Sequence, residues 1–188
     1  MGQLKTEPLG LEGMRVITPF FQEDLRGSFC KVFRRELFSE LGAAEEFSEM
    51  FFTRSQRSVL RGLHFQWSRP QWKIVTVLEG EIFDVGVDLR RDSPAYGQWR
   101  GISLSAENKK VLYLPAGFAH GFLVRSEQAL VAYLCGGDYD PAADGGIRWD
   151  DPAIGVAWPF RPGECPVLSP KDAALPTLAE YEERRRRG

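Results

Sequence analysis

Histidine is scarce in this chain of 188 residues: there are two, His64 and His120. Cysteine is nearly as rare, with Cys30, Cys135 and Cys165 far apart and no C-x-x-C pair among them. So scattered and odd a set argues against a disulfide framework or a cysteine-rich zinc site and fits a reducing compartment. Charge of one sign is not in excess either. The formal net charge is -2, which supplies no basic field for nucleic acid. No apolar run approaches the roughly eighteen residues of a membrane-spanning helix, and Met1-Gly2-Gln3-Leu4-Lys5-Thr6-Glu7 lacks an apolar signal core. A cytoplasmic protein with neither nucleic-acid nor membrane partners is expected.

Helical periodicity is thin as well. What replaces it is a period of two: Phe83, Val85, Val87 and Leu89 alternate with Ile82, Asp84, Gly86 and Asp88, which places the apolar set on one face. Lys73 to Leu78, Gly101 to Leu104, Val111 to Leu114, Gly121 to Val124 and Ala129 to Leu134 read likewise as strands. Glu79-Gly80, Asp92-Ser93-Pro94 and Ser126-Glu127 punctuate them. Short strands at regular spacing predict an antiparallel sandwich or barrel. Arg35 to Leu41, ended by Gly42, is the clearest helix, and Ala173 to Arg187 holds room for another. The glycine- and aspartate-rich loop from Gly136 to Gly146 is the expected mobile element. At 43% hydrophobic the chain fits one domain, 1–188, with a core from about Ile17 to Thr177. Residues 179–188, with the run Arg184 to Arg187, read as a solvated tail.

Both histidines lie in segments with cationic or aromatic company. Arg61-Gly62-Leu63-His64-Phe65-Gln66 is followed by Gln71-Trp72-Lys73, and His120 sits in Pro115-Ala116-Gly117-Phe118-Ala119-His120-Gly121-Phe122. A lone strand histidine is ordinarily a satisfied polar residue at a barrel mouth; these companions point instead to a site. Together with Gly80-Glu81-Ile82-Phe83-Asp84-Val85, Val87-Asp88-Leu89-Arg90-Arg91-Asp92-Ser93-Pro94, Trp149-Asp150-Asp151-Pro152 and Leu168-Ser169-Pro170-Lys171-Asp172, the two segments resemble the dTDP-4-dehydrorhamnose 3,5-epimerase family, in order from about Ile17 to Thr177. The resemblance implies an all-β, cupin-type jelly roll with a few short helices, a homodimer, and epimerisation of a nucleotide-diphosphate 4-keto-6-deoxy sugar at carbon 3, carbon 5 or both, with no metal and no other cofactor.

A ketone at carbon 4 acidifies the hydrogens on carbons 3 and 5, because the anion delocalises onto the carbonyl oxygen. Epimerisation then needs a base on one face of the ring and an acid on the other. His64 suits the base, since a neutral imidazole exists near neutral pH and a carboxylate can hold its tautomer. The resemblance assigns that carboxylate to Asp172, the acid to Tyr133 and the charge beside the enolate oxygen to Lys73. Without it, Tyr133 is an ordinary barrel-lining aromatic with a satisfied hydroxyl. Arginine forks suit a diphosphate, and Arg61 and Arg26 are the candidates, Arg26 reaching across a dimer interface. His120 and Lys171 match substrate-contacting positions. Asp84, on the strand face opposite Phe83 and Val85, is read either as orienting His120 or as a solvated carboxylate.

The chain also departs from the family pattern. Glu49-Met50-Phe51 stands where Gln-x-Asn is usual, placing Glu49 and Phe51 in the expected nucleotide pocket. Lys31 replaces a glutamate, a charge reversal expected to change which base is accepted. Asp138 falls where a stacking aromatic is expected, with Tyr139 beside it as the substitute, and a further acidic position is read as Ala142. Thymidine diphosphate leads as the nucleotide, ahead of cytidine and guanosine. Two other classes compete. A metal-dependent cupin oxygenase or isomerase would use the two imidazoles and a carboxylate, although Gln66 stands where a further histidine is normal. A non-catalytic sugar-binding cupin would have no use for His64, Lys73, Tyr133 and Asp172 together.

Overall fold

The computed structural model describes residues 4–41 and 47–187. Thirteen strands and three short helices follow one another among the described residues. The strands are β1 (Lys5–Pro8), β2 (Arg15–Thr18), β3 (Phe20–Asp24), β4 (Gly27–Lys31), β5 (Phe47–Gln56), β6 (Leu60–Gln66), β7 (Trp72–Glu79), β8 (Glu81–Asp88), β9 (Trp99–Ser105), β10 (Val111–Leu114), β11 (Phe118–Val124), β12 (Gln128–Gly136) and β13 (Asp144–Gly146). The helices are α1 (Arg35–Glu40), α2 (Pro170–Ala173) and α3 (Leu178–Arg187). One sheet runs β1-β2-β10-β7-β12-β5, the other β13-β6-β11-β8-β9, and β3 and β4 form a separate hairpin. Neighbouring strands within each sheet pair antiparallel, as the alternation predicts for a sandwich and as the cupin-type jelly roll of the resemblance requires.

Period two carries further than the single apolar face expected of β8. Val85, Val87 and Leu89 join Leu60, Leu63, Phe65, Ala119 and Leu123 in a cluster on the outer side of the five-stranded sheet, under the chain from Ile147 to Leu178. Ile82 on the opposite face enters the cluster between the sheets with Val75, Leu112, Phe122, Val131 and Tyr133. A third cluster, with Ile17, Ile74, Tyr113 and Leu134, packs under Phe38 of α1 on the outer side of the six-stranded sheet. The central strands of both sheets are therefore covered on both sides, so polar residues on either of their faces are buried and must find partners.

The C-terminal segment departs from the solvated tail expected of it. Pro176 separates two helices in place of one, and α3 is docked: Leu178 is buried, Tyr181 meets Phe65 edge-on at 5.0 Å, and the Tyr96 hydroxyl donates to Glu182 at 2.9 Å. Asp151 holds the start of α3 by accepting the Leu178 amide at 2.8 Å. Helix α1 ends at Glu40 with Leu41 as its cap, and the proposed terminator Gly42 lies outside the described residues. No described helix is long and apolar enough to cross a membrane.

Candidate active site

Arg61 and His64 are three residues apart, which in a regular strand would send their side chains to opposite faces. A bulge in β6 prevents that: Arg61 pairs with Phe122 but His64 with His120, so β6 spends one residue more than β11 over the interval. Leu60 and Leu63 consequently share the outer cluster, which turns Arg61 and His64 together toward the inside. Gly62 makes the bulge feasible. Its φ is +106°, and a Cβ there would lie 2.5 Å from the His120 carbonyl oxygen.

On the facing sheet the register sets side chains in rows. Cys135 is opposite both Glu49 on β5 and Lys73 on β7, and two residues along, Tyr133 is opposite Phe51 and Val75. These rows share the inner face. A cavity of about 290 Å³ opens over the first, walled by Glu49, Phe51, His64, Phe65, Gln66, Gln71, Lys73, Cys135, Tyr139, Asp144 and Lys171.

In that wall His64 Nε2 donates to Asp172 Oδ1 at 2.5 Å, leaving Nδ1 as the free acceptor. Asp172 is 4% exposed and sits in the first turn of α2, where its own amide donates to the Ser169 hydroxyl. Burial pushes its carboxyl up, but the hydrogen bonds from His64 and Ser169 and the charges of His64 and Arg61 outweigh burial and hold it below the usual carboxylate range. It therefore stays an anion that fixes the imidazole and stabilises its protonated form. Lys73 is lowered by burial, an effect opposed by Cys135, Asp144, Glu49 and Asp84. Lys171 Nζ donates to Asp144 Oδ2 at 2.5 Å, and the Tyr139 hydroxyl reaches the same oxygen at 3.2 Å.

Tyr133 lies one row deeper. It is 5% exposed, stacked under Phe51 at 4.7 Å and 13°, with the His120 ring edge-on at 5.6 Å. Burial first, then the Asp84 charge, raises its phenol well above the ordinary value, so it holds its proton. His120 Nε2 donates to Asp84 Oδ1 at 2.6 Å, and Asp84 is fully buried. The solvated alternative for Asp84 is thus excluded, and its orienting contact with His120 is present. Arg61 Nε donates to the buried Ser55 hydroxyl at 3.0 Å, also behind the wall.

The cavity thus gathers His64, Lys73, Glu49, Phe51, Tyr139 and Lys171, with Asp172, Tyr133, His120 and Arg61 supporting it. Arg26 and Lys31 are not brought there within one chain. Arg26 caps the tip of the β3–β4 hairpin, 90% exposed and paired with Asp24, and Lys31 stands 5.9 Å from the Phe29 ring. Of Asp138 and Tyr139, it is Tyr139 that lines the wall; the Asp138 carbonyl accepts from Gln66. Ala142 brings no acid to the cavity; the carboxylate that this loop contributes to the wall is Asp144. Gln66 and Gln71, given no role by the sequence reading beyond their place in the motifs, are tied in by their amides: Gln71 donates to Glu49 Oε1 at 3.1 Å and to the Gly137 carbonyl at 2.8 Å. Each histidine's Nε2 is engaged by a different carboxylate, and among the described residues no group of three or more His, Cys, Asp or Glu is arranged to hold a metal ion.

A profile of the dTDP-4-dehydrorhamnose 3,5-epimerase family matches residues 8–180. The chain is 46% identical over 165 residues to the enzyme of that description from Salmonella typhimurium, covering 87% of this chain and 89% of the relative. It is 43% identical over 180 residues to the one from Methanothermobacter thermautotrophicus, covering 96% and 97%. The crystal structure of a dTDP-6-deoxy-D-glucose-3,5-epimerase from Legionella pneumophila in complex with dTDP-4-keto-L-rhamnose superposes with a TM-score of 0.90 at 43% identity, over 94% of each chain.

Proposed function

The chain belongs to the dTDP-4-dehydrorhamnose 3,5-epimerase family, and from that membership we propose how its own residues carry out the epimerisation of a dTDP-linked 4-keto-6-deoxy sugar. The observation that carries the proposal is the His64–Asp172 pair at the wall of a cavity that also holds Lys73. His64 Nδ1 removes the proton beside the ketone, and Asp172 stabilises the imidazolium that results. Lys73 faces the carbonyl oxygen, where its charge counts most once the enolate has formed, worth about 3 to 4 kcal/mol by comparison with oxyanion donors. Tyr133, protonated because it is buried, returns a proton from the other side of the ring, which requires the Phe51 ring above it to give way. The Asp84–His120 pair fixes the edge-on ring against which Tyr133 rests.

Phe51 and Tyr139 offer exposed ring faces to a base, and Lys171 and Arg61 offer charge to a diphosphate. The proposal includes one catalytic domain acting as a homodimer. The edge strand β5 exposes Met50 and Phe52 on its outer face, and Leu25 beside Arg26 is fully exposed at the hairpin tip. An apolar edge and a projecting cationic hairpin suit a second copy whose cavity Arg26 and Lys31 complete. A cytoplasmic location agrees with three cysteines free of disulfides.

The test is incubation with 4-keto-6-deoxyglucose carried on thymidine, cytidine or guanosine diphosphate in deuterium oxide, read by NMR. Label at carbon 3 or carbon 5, fastest on the thymidine sugar, is expected. A lack of label on all three would overturn the reading.

A further inference from the structure

Three carboxylates approach Lys73, and two of them are already committed. Asp144 is taken by Lys171 and Tyr139, and Asp84 by His120. Glu49 alone is held by a neutral donor, the amide of Gln71, which is itself anchored on the Gly137 carbonyl. The strand register then matters. Glu49, Cys135 and Lys73 form one row across β5, β12 and β7, and the residue between the two charges is a small buried thiol. The backbones of β5 and β7 are two strand spacings apart, about 10 Å, and both side chains wall the same cavity. On the far side of Lys73 the row ends in Leu114 of β10, which offers no charge.

We propose that Glu49 is a positioning residue for the reaction: its carboxylate, aimed by Gln71, is the countercharge that keeps the Lys73 ammonium in place beside the ketone oxygen. The inference rests on the role given to Lys73 above. It concerns a carboxylate at a position where the resemblance leads one to expect glutamine. Charged and titratable groups facing Lys73 are Glu49 on β5, Cys135 on β12, Asp144 on β13 and Asp84 on β8, with His64 and Lys171 in the same cavity wall. Burial disfavours the ammonium, and Glu49, held by the neutral Gln71 amide, is one of the anions that oppose that effect.

The sign follows directly. Removing the Glu49 charge lets Lys73 lose its proton at lower pH, so activity that needs the ammonium disappears earlier as pH rises. Glu49→Gln keeps the volume and the acceptor for Gln71 and removes only the charge. The experiment measures kcat/KM against pH for the parent and Glu49→Gln, each normalised to its own plateau, alongside the pH dependence of Lys73 labelling by an amine acylating reagent, read by peptide mass spectrometry. The alkaline limb is expected to move to lower pH, with a several-fold greater loss at about pH 9, and Lys73 is expected to become acylated at lower pH in step. An unmoved limb with an unmoved labelling curve overturns the proposal, as does a raised KM with an unchanged profile, which would make Glu49 a simple substrate contact. If the parent exchanges no substrate hydrogen, the proposed function fails instead, and the labelling curve still reads the Glu49–Lys73 coupling by itself.

Discussion

His64 and Tyr133 divide the work of proton transfer because their surroundings push them in different directions. His64 is about a third exposed and bonded through one nitrogen to a buried anion, so its second nitrogen is open to a substrate. Tyr133 is sealed beneath Phe51 and kept neutral by burial. Substituting Tyr133→Phe removes the proton donor and leaves the base untouched. We therefore expect net epimerisation to fall about 100-fold or more, a typical worth for a general acid, while exchange of the substrate hydrogen with solvent is lost less. NMR of product and label together checks this, and an equal loss of both would remove Tyr133 from the acid role. Sequence spacing could not have joined His64 to Asp172, 108 residues apart. Only the family resemblance named that pair, and the fold brings it to 2.5 Å. Lys31 and Arg26 show the converse, since residues whose proposed partner surface lies on another molecule have no visible role in one chain.

At the scale of elements, alternation made the strands from β7 to β12 legible, because apolar and polar residues take turns wherever one face meets the core. The segment of β6 was read as β-structure, but alternation does not reveal how it faces, because the bulge at Gly62 inverts the pattern between Leu60 and Leu63; β13, with three residues, is too short to show a period. A helix there was legible and Arg184 to Arg186 are exposed as expected, but the docking of its first turns was not, because four arginines mask the contacts of Leu178 and Tyr181 one to two turns earlier. Two motifs of the resemblance prove to be architectural. Asp88 ties the turn after β8 by accepting from Arg90 and from the Ser93 hydroxyl, and Asp151 caps the approach to α3. Since Phe65 walls the cavity and Tyr181 braces it from behind, Tyr181→Ala is expected to cost about 1 to 2 kcal/mol, lowering Tm by roughly 3 to 8 °C. Thermal unfolding followed by circular dichroism checks it, and an unchanged Tm would show α3 to be an ornament on the sheet.

The molecule as a whole is a sandwich whose inner space is apolar at one end and charged at the other, with the cavity at the charged end. Its β5 edge and its β3–β4 hairpin are the parts that one chain leaves unused. Phe52, 54% exposed on the outer face of β5, belongs to the proposed dimer contact. Phe52→Asp should shift sedimentation from dimer to monomer and reduce kcat/KM, because Arg26 would no longer reach a neighbouring cavity. A mass unchanged from the parent would relocate the interface.

Solvent deuterium incorporation into the dTDP-linked 4-keto-6-deoxy sugar, compared between the parent and a folded His64→Ala variant, puts the whole account at risk in one NMR experiment. The account predicts label beside the ketone with the parent and label no faster than the enzyme-free rate with His64→Ala. Label appearing at the parent's rate in the variant would contradict it, because the proton would then leave without the imidazole that the cavity is built around.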